Sequence, residues 1–201
     1  MKINLVNNQI NFGKTLVAKC DLPRQNERKV ACNIFQLNID EDKDYFLKVA
    51  KSKSWKDGSY IHEMDDEFKS EVEGERTYVI ESEAERCLGY IIMKTDYEDE
   101  TEEEIVYLET CPKYQTKNEK RSLQYIGETL ISFIVGGLDK DKTNAVMIKD
   151  YSEIGKPFYI NNCGFEELKD RNNALMLKKE NFSELLKRNE KHTKSKIRYI
   201  A

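Results

Sequence analysis

A basic loop that leads into an amphipathic helix is the first stretch whose residue types suggest chemistry. The loop before Ser122 carries four cationic side chains, Lys113, Lys117, Lys120 and Arg121. Ser122 can cap the helix. The apolar face of that helix repeats at three- and four-residue steps through Leu123, Ile126, Leu130, Phe133 or Ile134, and Leu138. Because free N–H groups and the helix dipole favour phosphate at such a position, the stretch fits an anion site as well as an ordinary solvated loop.

Gly127 falls in the first turns of this predicted helix. A glycine there costs about 1 kcal/mol relative to alanine, so we expect another group to approach the backbone closely. The strand before the loop is the short apolar run at 105–108, which Pro112 ends. We expect any functional site to be built around this strand, loop and helix.

The length and charge of the chain limit the classes of protein to which it can belong. At 201 residues it is long enough for one domain with a buried core. Its 33 basic and 37 acidic residues give a formal charge of -4, which excludes a generally basic nucleic-acid binder. No apolar run approaches the roughly 20 residues of a membrane span, and residues 1–14 lack a signal-peptide core. We therefore expect a cytoplasmic protein with no nucleic-acid or membrane partner.

Cysteines and histidines restrict the other kinds of site. The cysteines are odd in number, widely spaced and form no CxxC pair: Cys20, Cys32, Cys87, Cys111 and Cys163. We interpret them as reduced, mostly buried thiols. With only His62 and His192 present, a histidine-rich zinc site or a Ser–His–Asp triad is disfavoured, and we expect no metal.

The order of the predicted elements indicates an α+β, or mixed α/β, domain on one sheet, mostly antiparallel and flanked by helices. The elements are strands at 12–20 and 30–39, a helix at 40–53, a second helix within 55–74, a hairpin at 77–81 and 87–95, the strand–loop–helix unit, a strand at 145–148, a short helix at 151–162, and a last hairpin at 165–168 and 174–178. We assign residues 1–182 to a single domain. Residues 183–201 are a basic tail, expected to be a frayed helix and a disordered end.

An acidic stretch lies between the first hairpin and the central strand. Residues 96–104 contain seven carboxylates and no base: Asp96, Glu98, Asp99, Glu100, Glu102, Glu103 and Glu104. Such a run is typical of a solvated hairpin tip. The alternative is a fringe of charge that attracts a cationic substrate.

Five segments between about residue 76 and about residue 179 resemble the GNAT acetyltransferase superfamily. The hairpin at 77–93 reads TYVIESEAERCLGYIIM, and the strand at 105–112 reads IVYLETCP. The helix start at 122–131 reads SLQYIGETLI, the later helix end at 157–168 reads PFYINNCGFEEL, and the closing strand at 174–179 reads ALMLKK. The resemblance depends on all five segments and their order, and it implies the GNAT-like acyl-CoA N-acyltransferase fold.

The resemblance implies that the cofactor is acetyl-CoA. The family's pyrophosphate loop usually reads Gln or Arg, two residues, Gly, one residue, then Gly or Ala. With Gly127 in the last position, Tyr125 stands at the first glycine and Ser122 at the Gln/Arg. Backbone N–H groups near Glu109, Thr110 and Cys111 would hold the thioester carbonyl and the pantetheine, provided that the neighbouring strand from Ala145 splays away. The implied cofactor-binding residues are Thr110, Cys111, Arg121, Ser122, Leu123, Gln124, Tyr125, Ile126, Gly127 and Ser152.

The resemblance also implies transfer of the acetyl group to an amine by direct attack, which needs a base for the ammonium proton. Glu104 and Glu109 are the candidate bases. Because they are five residues apart, they would face opposite sides of a regular strand. Either could instead be an ordinary solvated or ion-paired carboxylate. A covalent role for Cys111 is disfavoured, since no partner histidine suggests itself.

The departing thiolate gains from a nearby acid, and Tyr159 is the residue that the resemblance implies. The stretch from Tyr159 to Gly164 is one residue longer than the common spacing, which would put Ile160 in that position. An extra residue at the Asn161-Asn162 helix end would restore Tyr159, because asparagine tolerates the left-handed conformation of a helix end.

Two functions therefore stay open from the sequence. The first is an N-acetyltransferase acting on a small amine or on a peptide or protein amine. The second is a catalytically inactive GNAT-fold binding or interaction protein, which the departure at Tyr125 would favour. A homodimer is compatible with either function.

Overall fold

A nine-stranded sheet forms the centre of the computed structural model, which describes residues 13–24, 28–42, 44–55, 75–95, 100–115, 123–169 and 174–200. The strands are β1 Thr15–Pro23, β2 Lys29–Gln36, β3 Arg76–Ser82, β4 Gly89–Thr95, β5 Glu102–Thr110, β6 Ala145–Ile148, β7 Glu166–Leu168, β8 Ala174–Lys178 and β9 Arg198–Tyr199. Their order in the sheet is β7-β8-β6-β5-β4-β3-β2-β1-β9. Of these pairs only β5–β6 is parallel. The predicted α+β class with a mostly antiparallel sheet is confirmed.

The described helices are short on one face of the sheet and long on the other. They are α1 Ile39–Asp42, α2 Tyr45–Ala50, α3 Ile126–Gly137 and α4 Phe182–Thr193, with a π-helical turn at Phe158–Cys163. The predicted helix at 40–53 is thus divided into α1, α2 and a 3₁₀ turn at Lys53–Trp55. The second helix predicted within 55–74 lies almost wholly outside the described residues. No helix in the described part of the chain has the length and apolarity that would let it cross a membrane.

Alternation along β4 sends neighbouring residues to opposite faces of the sheet. The Tyr90 ring packs against Phe46 and Trp55, with centroid distances of 5.1 and 5.9 Å. Gly89 faces α3, where an added Cβ would lie 2.9 Å from Ile126 Cγ2. A glycine is therefore needed at Gly89 for α3 to approach the sheet.

A β-bulge in β5 changes which side chains share a face. Ile92 pairs with Tyr107 and Met93 with Ile105, so Val106 is the extra residue. The expectation that Glu104 and Glu109 face opposite sides is wrong, because one inserted residue reverses the alternation between them.

The two central strands separate soon after they begin to pair. β5 and β6 pair at Glu102–Ala145, Glu103–Val146 and Glu104–Met147, and at no later position in the described residues. The carboxyl half of β5 therefore has β4 on one side and an opening on the other. The predicted binding of the thioester required the strand that begins at Ala145 to splay away from β5, and β6 does so.

The three acidic residues at the end of the acidic stretch are not a solvated tip. Glu102, Glu103 and Glu104 belong to β5 and are 7, 9 and 7% exposed. Arg76 forms an ion pair with Glu103. Burial nevertheless raises the Glu103 pKa, and the neighbouring Arg76 charge opposes that rise. Residues 96–99 of the stretch lie outside the described residues.

The expected frayed tail is instead part of the folded domain, so that expectation is wrong. Helix α4 buries Phe182, Leu185, Asn189 and Thr193 against the rest of the chain. Strand β9 then pairs with β1, and the Tyr199 hydroxyl donates a 2.7 Å hydrogen bond to a backbone carbonyl of α3. These contacts add α4 to the face of the sheet that α3 covers.

Candidate functional site

A cavity of about 570 Å³ opens where β5 and β6 separate. Its walls come from the end of β5, the turn that follows, the start of α3, the loop at 152–155 and the π-helical turn. This volume lies within the range of small-molecule and cofactor sites. The predicted site residues that it brings together are Glu109, Thr110, Gln124, Tyr125, Ile126, Gly127, Ser152 and Tyr159. In the described part of the chain, no group of three or more His, Cys, Asp or Glu residues could hold a metal.

Three of the predicted site residues lie elsewhere, and two cannot be placed. Leu123 is 2% exposed and forms a β-bridge with Arg24. Cys111 and Glu104 do not line the cavity. Arg121 and Ser122 fall outside the described residues, as do Lys117 and Lys120.

Helix α3 begins at Ile126, so its N-cap lies three residues after the predicted cap at Ser122. Its N-cap is Tyr125, with φ of 63° in the left-handed region and no side-chain hydrogen bond to the helix. The first N–H groups of the helix have no intrahelical acceptor. Tyr125 stands where the GNAT loop pattern has its first glycine. Its left-handed φ explains why that pattern has a glycine there, since glycine adopts this conformation without strain.

Gly127 lies at a narrow part of the cavity. An added Cβ would be 3.1 Å from Phe158 Cζ and 3.6 Å from Thr110 Cγ2. The predicted close approach to this glycine is confirmed, and the approaching group is the Phe158 ring of the opposite wall.

The predicted apolar face of α3 is buried, and the other sides of the helix are buried as well. Every residue from Ile126 to Val135 is buried, including the polar Glu128, Thr129 and Ser132. Glu128 also lines the cavity. Sequence reasoning missed this carboxylate, although a charged residue among the apolar residues of the helix was a usable signal.

The direction of the backbone N–H groups at the end of β5 decides which of them can reach the opening. The Cys111 N–H donates to the Leu88 carbonyl at 2.9 Å, so it cannot hold a thioester carbonyl as expected. Adjacent N–H groups of a strand point to opposite sides. The Thr110 N–H is therefore directed to the side from which β6 has separated. The Cys111 thiol donates to the Ser54 carbonyl at 3.2 Å, and burial raises its pKa to about 11, so it is protonated at neutral pH.

Glu109 is the predicted base that reaches the cavity. Its Oε2 accepts a 2.9 Å hydrogen bond from the Tyr90 hydroxyl. Burial, followed by the Glu109 charge, raises the Tyr90 pKa far above its ordinary value, so Tyr90 remains a donor. Tyr90 thereby fixes Glu109 on the face of the sheet opposite α3.

The π-helical turn accommodates the extra residue between Tyr159 and Gly164. The Phe165 N–H bonds to the Tyr159 carbonyl at 3.1 Å, one residue further back than in an ordinary Schellman end. Gly164, with φ of 80°, supplies the left-handed residue in place of the asparagines. The extra residue thus lies within the turn, and Tyr159 lines the cavity whereas Ile160 does not.

Tyr159 is held by aromatic contacts and leaves its hydroxyl without a hydrogen-bond partner among the described residues. Its ring makes edge-on contacts with Phe158 and Phe165 at centroid distances of 5.2 and 5.9 Å. Burial raises the Tyr159 pKa to about 12. The side chain is therefore a neutral donor at the wall of the cavity. Pro157 is the N-cap of the turn, so its missing N–H breaks no hydrogen bond within the turn.

Glu104 lies between two cations and away from the cavity. Its carboxylate oxygens are 3.6 Å from Lys94 Nζ and 3.5 Å from Lys149 Nζ. The side chain is only 10% exposed. We therefore interpret Glu104 as an ion-paired carboxylate that joins β4 and β5 to the end of β6.

Glu104→Gln is expected to lower the free energy of unfolding by about 1–3 kcal/mol, because two partly buried lysines lose their shared anion. Urea unfolding measures the change. Glu153→Gln, at an exposed loop position, is the matched control and should be neutral. If Glu104→Gln instead left stability unchanged and raised the KM of an amine at low salt, the steering function of the acidic stretch would be restored.

No family model and no curated protein matches the sequence. Solved structures do match. AtaTR bound with AcCoA aligns with a TM-score of 0.54 and 16% identity, covering 77% of this chain and 97% of that one. A protein from Exiguobacterium sp. 255-15 assigned as an acetyltransferase gives 0.52 and 17%, covering 76% and 97%. An acetyltransferase from Thermus thermophilus gives 0.50 and 12%, covering 92% and 100%.

These likenesses establish the class of fold. The chain has the fold of the GNAT acetyltransferases, as the five sequence segments implied. At identities between 12 and 17% the comparison extends to the fold alone.

Proposed function

We propose that the protein is an N-acetyltransferase that moves an acetyl group from acetyl-CoA to an amine. The observation that carries the proposal is the meeting of three features in one cavity. They are the uncapped start of α3, the Thr110 N–H beside the opening between β5 and β6, and the Tyr159 hydroxyl. Acetyl transfer from a thioester needs these three: an anion site, a donor to the carbonyl, and an acid near the sulfur.

Acetyl-CoA fits the groups that line the cavity. The N–H groups of Ile126, Gly127 and Glu128 would receive its diphosphate at the start of α3. The Thr110 N–H would donate to the thioester carbonyl and stabilise the negative charge that develops there. When bound, acetyl-CoA supplies the activated acyl group. The same cofactor is present in the solved structure of AtaTR.

The two faces of the sheet divide the roles of cofactor and acceptor. Gly127 and Thr110 meet on the α3 face, whereas Glu109 is held by Tyr90 on the face that carries Trp55. An amine entering from that second face would place its ammonium near Glu109. The Glu109 carboxylate accepts a proton, directly or through a water, and leaves a neutral amine to attack.

An inactive binding protein is the second candidate, and one observation favours it. The Glu128 carboxylate lines the same end of the cavity as the first N–H groups of α3, where it would repel a diphosphate unless its charge is compensated. The structural neighbours include the AtaT toxin bound to the C-terminus of the antitoxin AtaR, at a TM-score of 0.52 and 16% identity. A protein ligand in place of an amine substrate is the corresponding alternative for this chain.

The test of the proposed function is calorimetric titration with CoA, followed by thiol release from acetyl-CoA with a panel of polyamines, amino acids and peptides. We expect CoA to bind and at least one class of amine to release thiol. In the same assay Glu109→Gln should lower kcat/KM for that amine by about 10²-fold or more and leave CoA affinity unchanged. Glu83→Gln, at an exposed position in the turn between β3 and β4 and outside the cavity lining, is the matched control.

Two outcomes would count against this function in different ways. CoA binding without thiol release for any amine would favour the inactive binding protein. Undetectable CoA binding by the folded wild type would remove the cofactor assignment and the acetyltransferase with it.

A further inference from the structure

A chain of three side chains beside the start of α3 has no part in the proposed chemistry. The Tyr125 ring stacks on the His192 imidazole, with centroids 4.8 Å apart and planes 18° apart. His192 Nδ1 lies 3.0 and 3.1 Å from the two carboxylate oxygens of Glu128, which is 1% exposed. Asn189 Nδ2 lies 3.5 Å from Glu128 Oε1 and donates to Thr129 Oγ1 at 3.1 Å. Helix α4 is thus joined to two residues of the cavity wall, Tyr125 and Glu128.

The backbone of Tyr125 needs such support. A residue with a side chain at a left-handed φ of 63° is strained relative to glycine. Such strain persists only where the surroundings impose it. Here the contact that supports Tyr125 is the stacking of its ring on the His192 imidazole. The Tyr125 side chain therefore packs against α4 and forms no capping hydrogen bond to α3.

We propose that His192 is a positioning residue for the phosphate end of the cavity, acting through Tyr125. By holding Tyr125 in the left-handed conformation, it keeps the first N–H groups of α3 open to a diphosphate. The Glu128 carboxylate orients the imidazole and points towards α4. The inference rests on the proposed function, because the diphosphate is that of CoA.

The test is a double-mutant cycle on CoA affinity. His192→Ala should weaken CoA binding by about tenfold, since Tyr125 loses the support for its strained backbone. In a Tyr125→Gly background the same substitution should have a much smaller effect, because glycine adopts this φ without support and only the change at Glu128 remains. Pantetheine, which lacks the phosphates, should bind equally to all four proteins. Calorimetry measures both ligands.

Two further variants separate positioning from general stability. His192→Gln keeps a donor near the buried Glu128 but has no ring to stack, so it should fold and lose as much CoA affinity as His192→Ala. Lys191→Ala removes a cation from an exposed position of the same helix and should bind CoA as the wild type does.

The inference and the proposed function fail in distinguishable ways. An equal loss of CoA affinity from His192→Ala in both backgrounds, or wild-type affinity in a folded His192→Gln protein, would overturn the positioning role alone. A loss of pantetheine affinity parallel to that of CoA would also overturn it. Failure of the wild type to bind CoA would overturn the proposed function and this inference together.

Discussion

Replacing Gly127 by glutamate is expected to lower CoA affinity by about 100-fold or more while the protein still folds. The new side chain must enter the cavity between Phe158 and Thr110, because a Cβ would lie 3.1 Å from the Phe158 ring and 3.6 Å from Thr110 Cγ2. The Phe158 ring can move by the few tenths of an ångström that the Cβ requires. The added carboxylate would then lie where the diphosphate is proposed to bind. Calorimetry with CoA measures the effect, and thermal unfolding checks the fold.

Gly137 provides the matched control on the same helix. Gly137→Glu adds the same group ten residues away, or about 15 Å along the helix axis. The position is exposed, and an added Cβ would make only an ordinary 3.4 Å contact with Tyr199. It should bind CoA as the wild type does. Unchanged CoA affinity in a folded Gly127→Glu protein would remove the central assignment of the α3 N-terminus.

Patterns that depend on neighbouring residues were the ones that the sequence predicted well. The hairpin of β3 and β4 follows from period-two alternation around a polar turn, and β6 has the predicted bounds Ala145–Ile148. Because these features are encoded within a few residues, they needed no knowledge of distant contacts.

The bulge at Val106 could not be predicted from the alternation of apolar and polar residues in β5. One inserted residue in an apolar strand leaves no mark in composition, yet it places Glu104 and Glu109 on the same face. The burial of Glu104 likewise depends on Lys94 of β4 and on Lys149, just after β6, which come together only in the folded sheet. From the sequence alone, a run of acidic residues is predicted to be solvated, because the distant lysines that pair with it are not known.

Helix α4 was wrongly predicted to be part of a frayed tail because its buried face is partly polar. Asn189 and Thr193 are buried, and Asn189 meets Glu128 and Thr129 of α3. Neither helix has an obvious polar partner in its own sequence. The polar residues are complementary only when the two helices are placed side by side, so periodicity alone could not detect the contact.

Replacing Tyr159 by phenylalanine is expected to lower kcat by about 10²- to 10⁴-fold and to leave the KM for acetyl-CoA nearly unchanged. The hydroxyl lies at the cavity wall and has no hydrogen-bond partner among the described residues, whereas the ring is fixed by Phe158 and Phe165. Phenylalanine preserves the ring contacts and removes only the donor. Since the thiolate develops charge only in the transition state, the loss falls on kcat. Steady-state thiol release measures both constants.

The raised pKa of Tyr159 makes a second feature of this prediction testable. Burial raises the pKa of Tyr159 to about 12, so the hydroxyl is almost entirely protonated up to about pH 10. The ratio of wild-type to Tyr159→Phe kcat should therefore stay constant from about pH 6 to about pH 10, because no titration of Tyr159 occurs in that range. A ratio that fell through this range would mean that the tyrosine ionises there, and the role of a neutral donor would be wrong.

Tyr151→Phe is the matched control, because Tyr151 lies close by in the chain but outside the cavity lining. Its hydroxyl approaches Glu167 at 3.5 Å on the exposed surface, so its loss should change kcat by less than about twofold. If Tyr159→Phe behaved like this control in an active enzyme, the hydroxyl would be no more than a part of the wall. The departing thiolate would then have to gain its proton from water, and the opening between β5 and β6 would have to admit that water beside the sulfur.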